Sequence, residues 1–485
     1  VDYLALSPEM QAVLRVVYAT LLLLTLGLTL PNARRFFGTE SSGGYADPTP
    51  WLDRLLSTPG RVMILSSWFA AATWLLVGKH TVLASLMTLV FARIFFVNLR
   101  WRSIARGMGA PGFMLYWLGA LVFFLEYTAH YDPQGWLRQL AILTFKVDLA
   151  VIFLCAGQYK LFSGYPQNNG MERGMVNPWW GYWWRAYRRL PPGHWLFRGL
   201  NHLAYLTELA TAVLMLIPAT SEWGGLLLAA TFVFIGLNIR LGFLCETVIC
   251  CCLLFCLPGG LVDSWLGGWM QAQQVTPQAG MGWLNLMLGA FLLFYVLMLP
   301  ITKAGLYWNF YARRRLPDGW QRWQDFWANL MGIIIWRVFT IDNTNFYVKA
   351  WWEDRATGQR TLYSRPGQAE SRTDFRYVHV CEFVCFVSVF TTLKYFPSDS
   401  ELFRKRLLRY AASIPTPEHC RLVFEYIDIR KTERFEDVSS REFRVDAKTG
   451  EIEERWLADG TSATDHQRYS ELHQGHRVGS YAPSS

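Results

Sequence analysis

Across its first 301 residues the chain returns again and again to apolar stretches long enough, at 1.5 Å per residue, to cross about 30 Å of hydrocarbon. They lie at 13–30, 61–78, 80–98, 112–128, 140–162, 200–218, 223–240, 243–261 and 281–301, which predicts nine helical crossings. Backbone polar groups find no water in lipid, so segments of this length are expected to bond internally as helices. The first stretch has no basic segment before it, and Pro31-Asn32-Ala33-Arg34 is a weak cleavage site. It is therefore read as a permanent span and not as a signal peptide.

Charge divides the chain at the same place. Residues 1–301 hold 19 Lys and Arg and 13 Asp and Glu, about 11% of their number, whereas residues 302–485 hold 27 and 24, about 28%. This split excludes collagen-like, disordered and disulfide-scaffold proteins. It predicts a mostly α polytopic membrane bundle over 1–341, a C-terminal β-rich α+β soluble domain over 342–457, and a flexible polar tail over 458–485. Assigning loops alternately to the two faces gathers Arg34, Arg35, Arg54, Arg61, Arg100, Arg102, Arg106, Arg173, Arg185, Arg188, Arg189, Arg198, Lys303, Arg313, Arg314, Arg315 and Arg322 on one side. The other side keeps little more than Lys79 and Arg138. The expected topology has the N-terminus outside and the segment after 301 in the cytoplasm, in a multi-pass protein of the plasma (inner) membrane.

Phe326–Ile341 is about 16 residues long and carries Arg337, so it reads as an interfacial helix. Pro178–Arg189 (PWWGYWWRAYRR) reads as an aromatic belt with a basic edge at headgroup level. The net charge of +9 is thus expected to meet anionic lipid, and no nucleic-acid partner is expected. Six cysteines (Cys155, Cys245, Cys250, Cys251, Cys252 and Cys256) fall in the apolar stretches as packing residues. Cys381, Cys385 and Cys420 read as buried strand residues, and no metal site is expected.

An ionisable side chain in hydrocarbon costs several kcal/mol unless it is paired, hydrated or functional, so each is a site candidate. These are Arg93, Glu126, Lys146, Asp148, Lys160, Glu208, Arg240 and Glu246. Interfacial anchoring or a structural ion pair suffices for Arg93, Arg240 and Glu246. Lys160 follows Ala156-Gly157, small residues that let a helix or ligand approach closely. A desolvated lysine can act as a base near neutral pH; the other reading is a structural lysine paired with Glu208 or Glu126.

Ala156-Gly157-Gln158-Tyr159-Lys160-Leu161 resembles the A-G-x-x-K-L signature of the vitamin K-dependent gamma-carboxylase-like, or horizontally transferred transmembrane domain, family. Val13–Tyr18 with the Gly-rich loop Phe37–Gly44, the acid in Leu206-Thr207-Glu208-Leu209, and Leu237–Pro258 with its Gly242-Phe243 junction agree with that pattern. The resemblance covers roughly residues 10–340. After the lysine the loop reads Tyr165-Pro166-Gln167-Asn168-Asn169-Gly170, where the family often has Trp then Gly. It implies quinol-dependent carboxylation, or a related quinone-linked modification, with Lys160 as the base that deprotonates reduced vitamin K or a related quinol. Glu208 and Asp148 would tune it, and Gly157, Tyr159 and Lys146 would line the cofactor site. The competing expectation is a noncatalytic scaffold or assembly subunit whose residues 342–457 bind a partner protein. On either reading those residues would meet a protein or peptide, and the bundle the lipid bilayer.

In the soluble part, Phe346–Trp352, Tyr377–Phe390 and Leu422–Ile429 alternate as strands. Asp354–Gly358 and Asp446–Gly450 pair an Asp with a Gly, as hairpin loops do. Ser398-Asp-Ser-Glu401 reads as a capping box that opens a helix running to about Ala412.

Overall fold

The structure, a computed structural model, describes residues 3–100, 103–104, 109–267, 269, 278, 282–311, 316–330, 344–363, 384–395 and 400–457. Its helices are α1 (Pro8–Thr29), α2 (Ala33–Phe36), α3 (Pro50–Leu55), α4 (Thr58–Leu76), α5 (Thr81–Ala92), α6 (Gly109–Tyr131), α7 (Trp136–Phe162) and α8 (Met171–Val176). They continue with α9 (Trp184–Tyr187), α10 (Trp195–Leu216), α11 (Ser221–Asn238), α12 (Leu244–Cys252), α13 (Leu261–Gly267), α14 (Gly282–Tyr311) and α15 (Asp318–Leu330). Local chemistry starts α1: the Ser7 hydroxyl accepts from the Met10 amide at 3.1 Å, and Pro8 takes the first helical position.

Six helical segments are long and apolar enough to cross a membrane: Pro8–Phe36, Thr81–Leu99, Gly112–Tyr131, Trp136–Phe162, Pro218–Asn238 and Gly282–Gly305. The expected count was nine. α4 and α10 are also long, but Arg61 in one, and Asn201, His202 and Glu208 in the other, lower their apolar character. The stretch expected at 243–261 is helical only over Leu244–Phe255, closed in by Gly242 at φ +62° and by Pro258. After α5 the Thr81–Leu99 segment winds as a π-helix over Arg93–Leu99. Arg93 donates to the Leu330 carbonyl and lies 5.8 Å from the Tyr116 ring centre. The interfacial reading of 326–341 falls partly on α15; residues 331–343 lie outside the described residues.

The C-terminal domain is a five-stranded antiparallel sheet in the order β2-β1-β3-β4-β5: β1 (Phe346–Asp354), β2 (Arg360–Leu362), β3 (Cys420–Lys431), β4 (Phe435–Asp446) and β5 (Glu451–Trp456). Its two outer hairpins have the expected chemistry. Asp354 Oδ1 accepts from the Ala356 and Thr357 amides at 2.9 and 2.8 Å with Gly358 at φ +69°. Asp446 Oδ1 accepts from the Lys448 amide at 3.0 Å with Gly450 at φ +74°. The helix Ser400–Ala412 runs where expected, while Ser398 lies outside the described residues.

Residues 384–390, expected in a strand, are helical; the rest of that run, 377–383, lies outside the described residues. Phe386 and Phe390, four apart, form a helical stripe on Phe424, and Phe390 also meets Phe403 of the helix Ser400–Ala412. Cys385 is therefore buried in a helix, Cys420 is buried in β3, and Cys381 is not described.

The opposite sheet face carries alternating charges. Glu353 pairs with Arg421 at 2.5 Å and Arg360 at 2.8 Å, while Glu442 pairs with Arg360 at 2.8 Å and Arg444 at 2.9 Å. Burial pushes the Glu353 carboxyl up, but hydrogen bonds from Arg421 and Arg360 outweigh it and hold the group below its ordinary 4.5. A lowered carboxyl pKa stabilises the fold above the ordinary value, and that stabilisation is lost as pH falls through the lowered one. Glu353→Gln should therefore melt earlier than wild type at pH 7, with the gap closing below about pH 4. Thermal melts of both proteins from pH 7 to 3 check this, and a gap constant with pH would remove the carboxylate as its source.

Candidate functional site

α7 and α10 cross where Gly157 faces Leu209. A Cβ at Gly157 would stand 2.8 Å from Leu209 Cγ and 3.1 Å from its backbone nitrogen, so only glycine admits this approach. One turn further along α7, Lys160 points its ammonium at Glu208, the residue before Leu209, and Lys160 Nζ donates to Glu208 Oε1. Lys160 is 3% exposed and Glu208 1%. Among the described residues nothing donates to Glu208 Oε2, which is buried.

The chain after α7 folds back over this pair. Tyr165, buried, lies within electrostatic reach of Glu208, Glu172 and Tyr159. Gly170 leaves room for the Tyr165 ring and for Asn201 Oδ1, both 2.7 Å from where a Cβ would sit. Asn201, seven residues before Glu208 on α10, pins the loop: its Oδ1 accepts from the Met171 amide at 2.7 Å, and its Nδ2 donates to Asn168 at 2.7 Å and Glu172 at 2.8 Å. Glu172, fully buried, also accepts from the Gly170 amide at 3.0 Å.

The third donor to Glu172 comes from the C-terminal sheet. Lys431, at the end of β3, donates to Glu172 Oε1 at 3.1 Å and to the Asn168 carbonyl. Neighbouring contacts hold the sheet to the bundle: Asn177 Nδ2 donates to the Thr344 and Phe346 carbonyls at 2.8 and 2.9 Å, and Arg188 grips Asp437 at 2.6 and 2.8 Å. Trp179 packs on Tyr347 and Phe386. This corrects the aromatic-belt reading of Pro178–Arg189: Trp179 and Trp180 are buried, and Trp183 stays exposed.

The remaining expected site residues sit elsewhere. Asp148, roughly 18 Å along α7 from Lys160 at 1.5 Å per residue, accepts from Trp117 Nε1 at 2.9 Å and from the Tyr295 hydroxyl, with Lys303 acting on it electrostatically. Lys146 donates to the Tyr3 carbonyl at 2.7 Å and lies 4.2 Å from the Tyr3 ring centre. Glu126, the other candidate partner for Lys160, instead meets Arg15 at 3.6 Å and Gln11 at 3.1 Å. Of the expected set, Lys160, Glu208, Gly157 and Tyr159 are brought to one place, and Asp148 and Lys146 are not. Tyr165, Glu172, Asn201 and Lys431 join them without having been expected.

No protein-family model matches the chain, and no curated protein or solved structure matches it.

Removing one member of a buried pair strands a charge, at a cost of about 3–5 kcal/mol, whereas removing both leaves an apolar contact. Lys160→Met and Glu208→Leu should each lower the unfolding midpoint markedly, and the double variant should recover most of the loss. Thermal unfolding in detergent measures it; additive losses would mean that the two charges are not coupled.

Proposed function

We propose that this chain is an integral-membrane enzyme that removes a proton from a lipid-soluble quinol of the vitamin K type, at Lys160 and Glu208, in a carboxylation or related quinone-linked modification. The observation that carries the reading is Glu208 Oε2: a carboxylate oxygen in a dry bundle, beside a lysine, with no donor among the described residues. A buried acceptor without a donor is costly, and a quinol hydroxyl is a donor of fitting chemistry. The pairing also reassigns the roles. Lys160 Nζ donates to Glu208 Oε1, so the acceptor left open in the pair is Glu208 Oε2. Lys160 then stabilises the phenolate by its charge. Gly157 sets the helix approach, and the loop bearing Tyr165 keeps water out.

The reading follows the resemblance of Ala156–Leu161 to the carboxylase signature. A noncatalytic assembly subunit is the second reading, favoured by the polar contacts of Asn177, Arg188 and Lys431 that fix the sheet against the bundle. Turnover separates the two. In purified protein given reduced quinone, with dioxygen as the oxidant that takes up the two electrons, Glu208→Gln should slow quinol oxidation by about 10²–10⁴-fold, the usual worth of a general base, while the protein remains folded. Unchanged oxidation in Glu208→Gln, or none in wild type together with stoichiometric copurification of a membrane partner, would favour the subunit reading.

A further inference from the structure

A second set of charges sits apart from the Lys160 site, around the loop that follows α2. Arg34 lies over Gly43, its guanidinium 2.6–2.9 Å from where a Cβ would stand, and its Nε donates to the Ser42 carbonyl at 2.8 Å. Arg61, near the start of α4, reaches the same loop from the other side. Its Nη1 lies 3.4 Å from a Cβ built on Gly38, and the Ser42 hydroxyl lies 2.9 Å from that same point. Ser42 thus stands between two guanidinium groups. Gly43, at φ +77°, turns the loop there, and the Gly38 carbonyl closes on Gly44.

Arg61 is 7% exposed, yet its described bond is a single long one, Nη1 to the Leu56 carbonyl at 3.4 Å. Among the described residues neither Arg34 nor Arg61 has a carboxylate within ion-pair distance. The acids of the neighbourhood are committed elsewhere: Glu40 and Asp47 to Arg409 at 2.5 and 2.8 Å, and Asp53 to the hydroxyls of Thr39 and Ser41. Two adjacent guanidiniums, one of them buried, repel each other and leave desolvation uncompensated unless an anion joins them. Their forked donors suit phosphate oxygens.

The surroundings identify the source of the anion. The helix ends flanking the loop expose Leu30 on one side and Val62 and Met63 on the other, with Trp51 exposed in α3. A polar, serine-bearing loop edged by exposed apolar side chains at the end of a membrane-length helix matches the level of lipid headgroups, and tryptophan favours that level. We infer that Arg34 and Arg61 form a binding site for the phosphate of an anionic phospholipid, cradled by the Gly38–Gly44 loop and separate from the Lys160 site.

Thermal melts of the full chain in neutral detergent, with added phosphatidylglycerol, phosphatidylcholine or inorganic phosphate, test the site. Phosphatidylglycerol should raise the midpoint saturably, with little response to the other two. In Arg34→Gln/Arg61→Gln the apparent affinity for phosphatidylglycerol should fall at least tenfold, and Arg455→Gln, at an exposed arginine of β5, should leave it unchanged. Should loss of the buried Arg61 prevent folding, Arg34→Gln alone, at an exposed residue, is expected to weaken the response at least threefold, and Arg61→Lys to retain it. An equal response to phosphatidylcholine, or an undiminished one in the arginine variants, would overturn the site. A full response to inorganic phosphate would reassign it to a soluble anion and overturn the lipid assignment.

Discussion

The Lys160–Glu208 pair represents a constraint that runs through the whole bundle: a charge carried into apolar surroundings must find its partner on another helix. In lipid, apolar side chains gain little by facing one neighbour instead of another, so packing alone fixes helix rotation weakly. Polar partners supply what is missing. Lys160 and Glu208 set the rotation of α7 against α10. Arg15 and Glu126 set α1 against α6, and Asp148 ties α7 to α6 through Trp117 and to α14 through Tyr295. Each bond requires one face of each helix, and the small residue at Gly157 makes that face approachable.

The same rule joins the two domains. Glu172 is buried beneath the loop that covers Lys160, and its charge is balanced by Lys431, which belongs to the sheet. The bundle therefore does not complete its own polar interior. Arg409, from the helix Ser400–Ala412, repeats the arrangement at the opposite loop by taking Glu40 and Asp47. A composition boundary near residue 301 marks where charge density rises, but the electrostatic unit extends across it.

How much of this was legible depends on which signals are local. The six membrane-length helices, the strands β1 and β3, the two outer hairpin loops and the helix Ser400–Ala412 follow from periodicity and turn chemistry, properties of neighbouring residues. Lys160 and Glu208 were legible because ionisable residues are scarce in apolar stretches. Residues 384–390 were misread because a short apolar run fits strand and helix alike; the spacing of Phe386 and Phe390 carries the helical signal and was outweighed by apparent alternation. The count of nine spans included α4 and α10, whose polar residues Arg61, Asn201 and Glu208 are buried and keep these helices out of the six membrane-length segments. Glu172 left a fainter trace. It is the one acid between Asp148 and Glu208, in a stretch otherwise rich in arginine, yet its partner Lys431 is more than 250 residues away. No local pattern encodes that contact.

Pairing also changes what chemistry the lysine can do. Read alone, Lys160 in a dry helix interface is a base, because desolvation favours the neutral amine. Beside Glu208 its amine is engaged as a donor to Oε1, and the acceptor the pair leaves open among the described residues is Glu208 Oε2. On the proposed reading a proton donor meets Glu208 Oε2, with Lys160 beside the charge that forms. Tyr165 is buried within electrostatic reach of both Glu208 and Glu172. The loop that carries Tyr165 is held by Asn201 and Lys431, so the surroundings of the pair are completed by a lysine that the sheet provides.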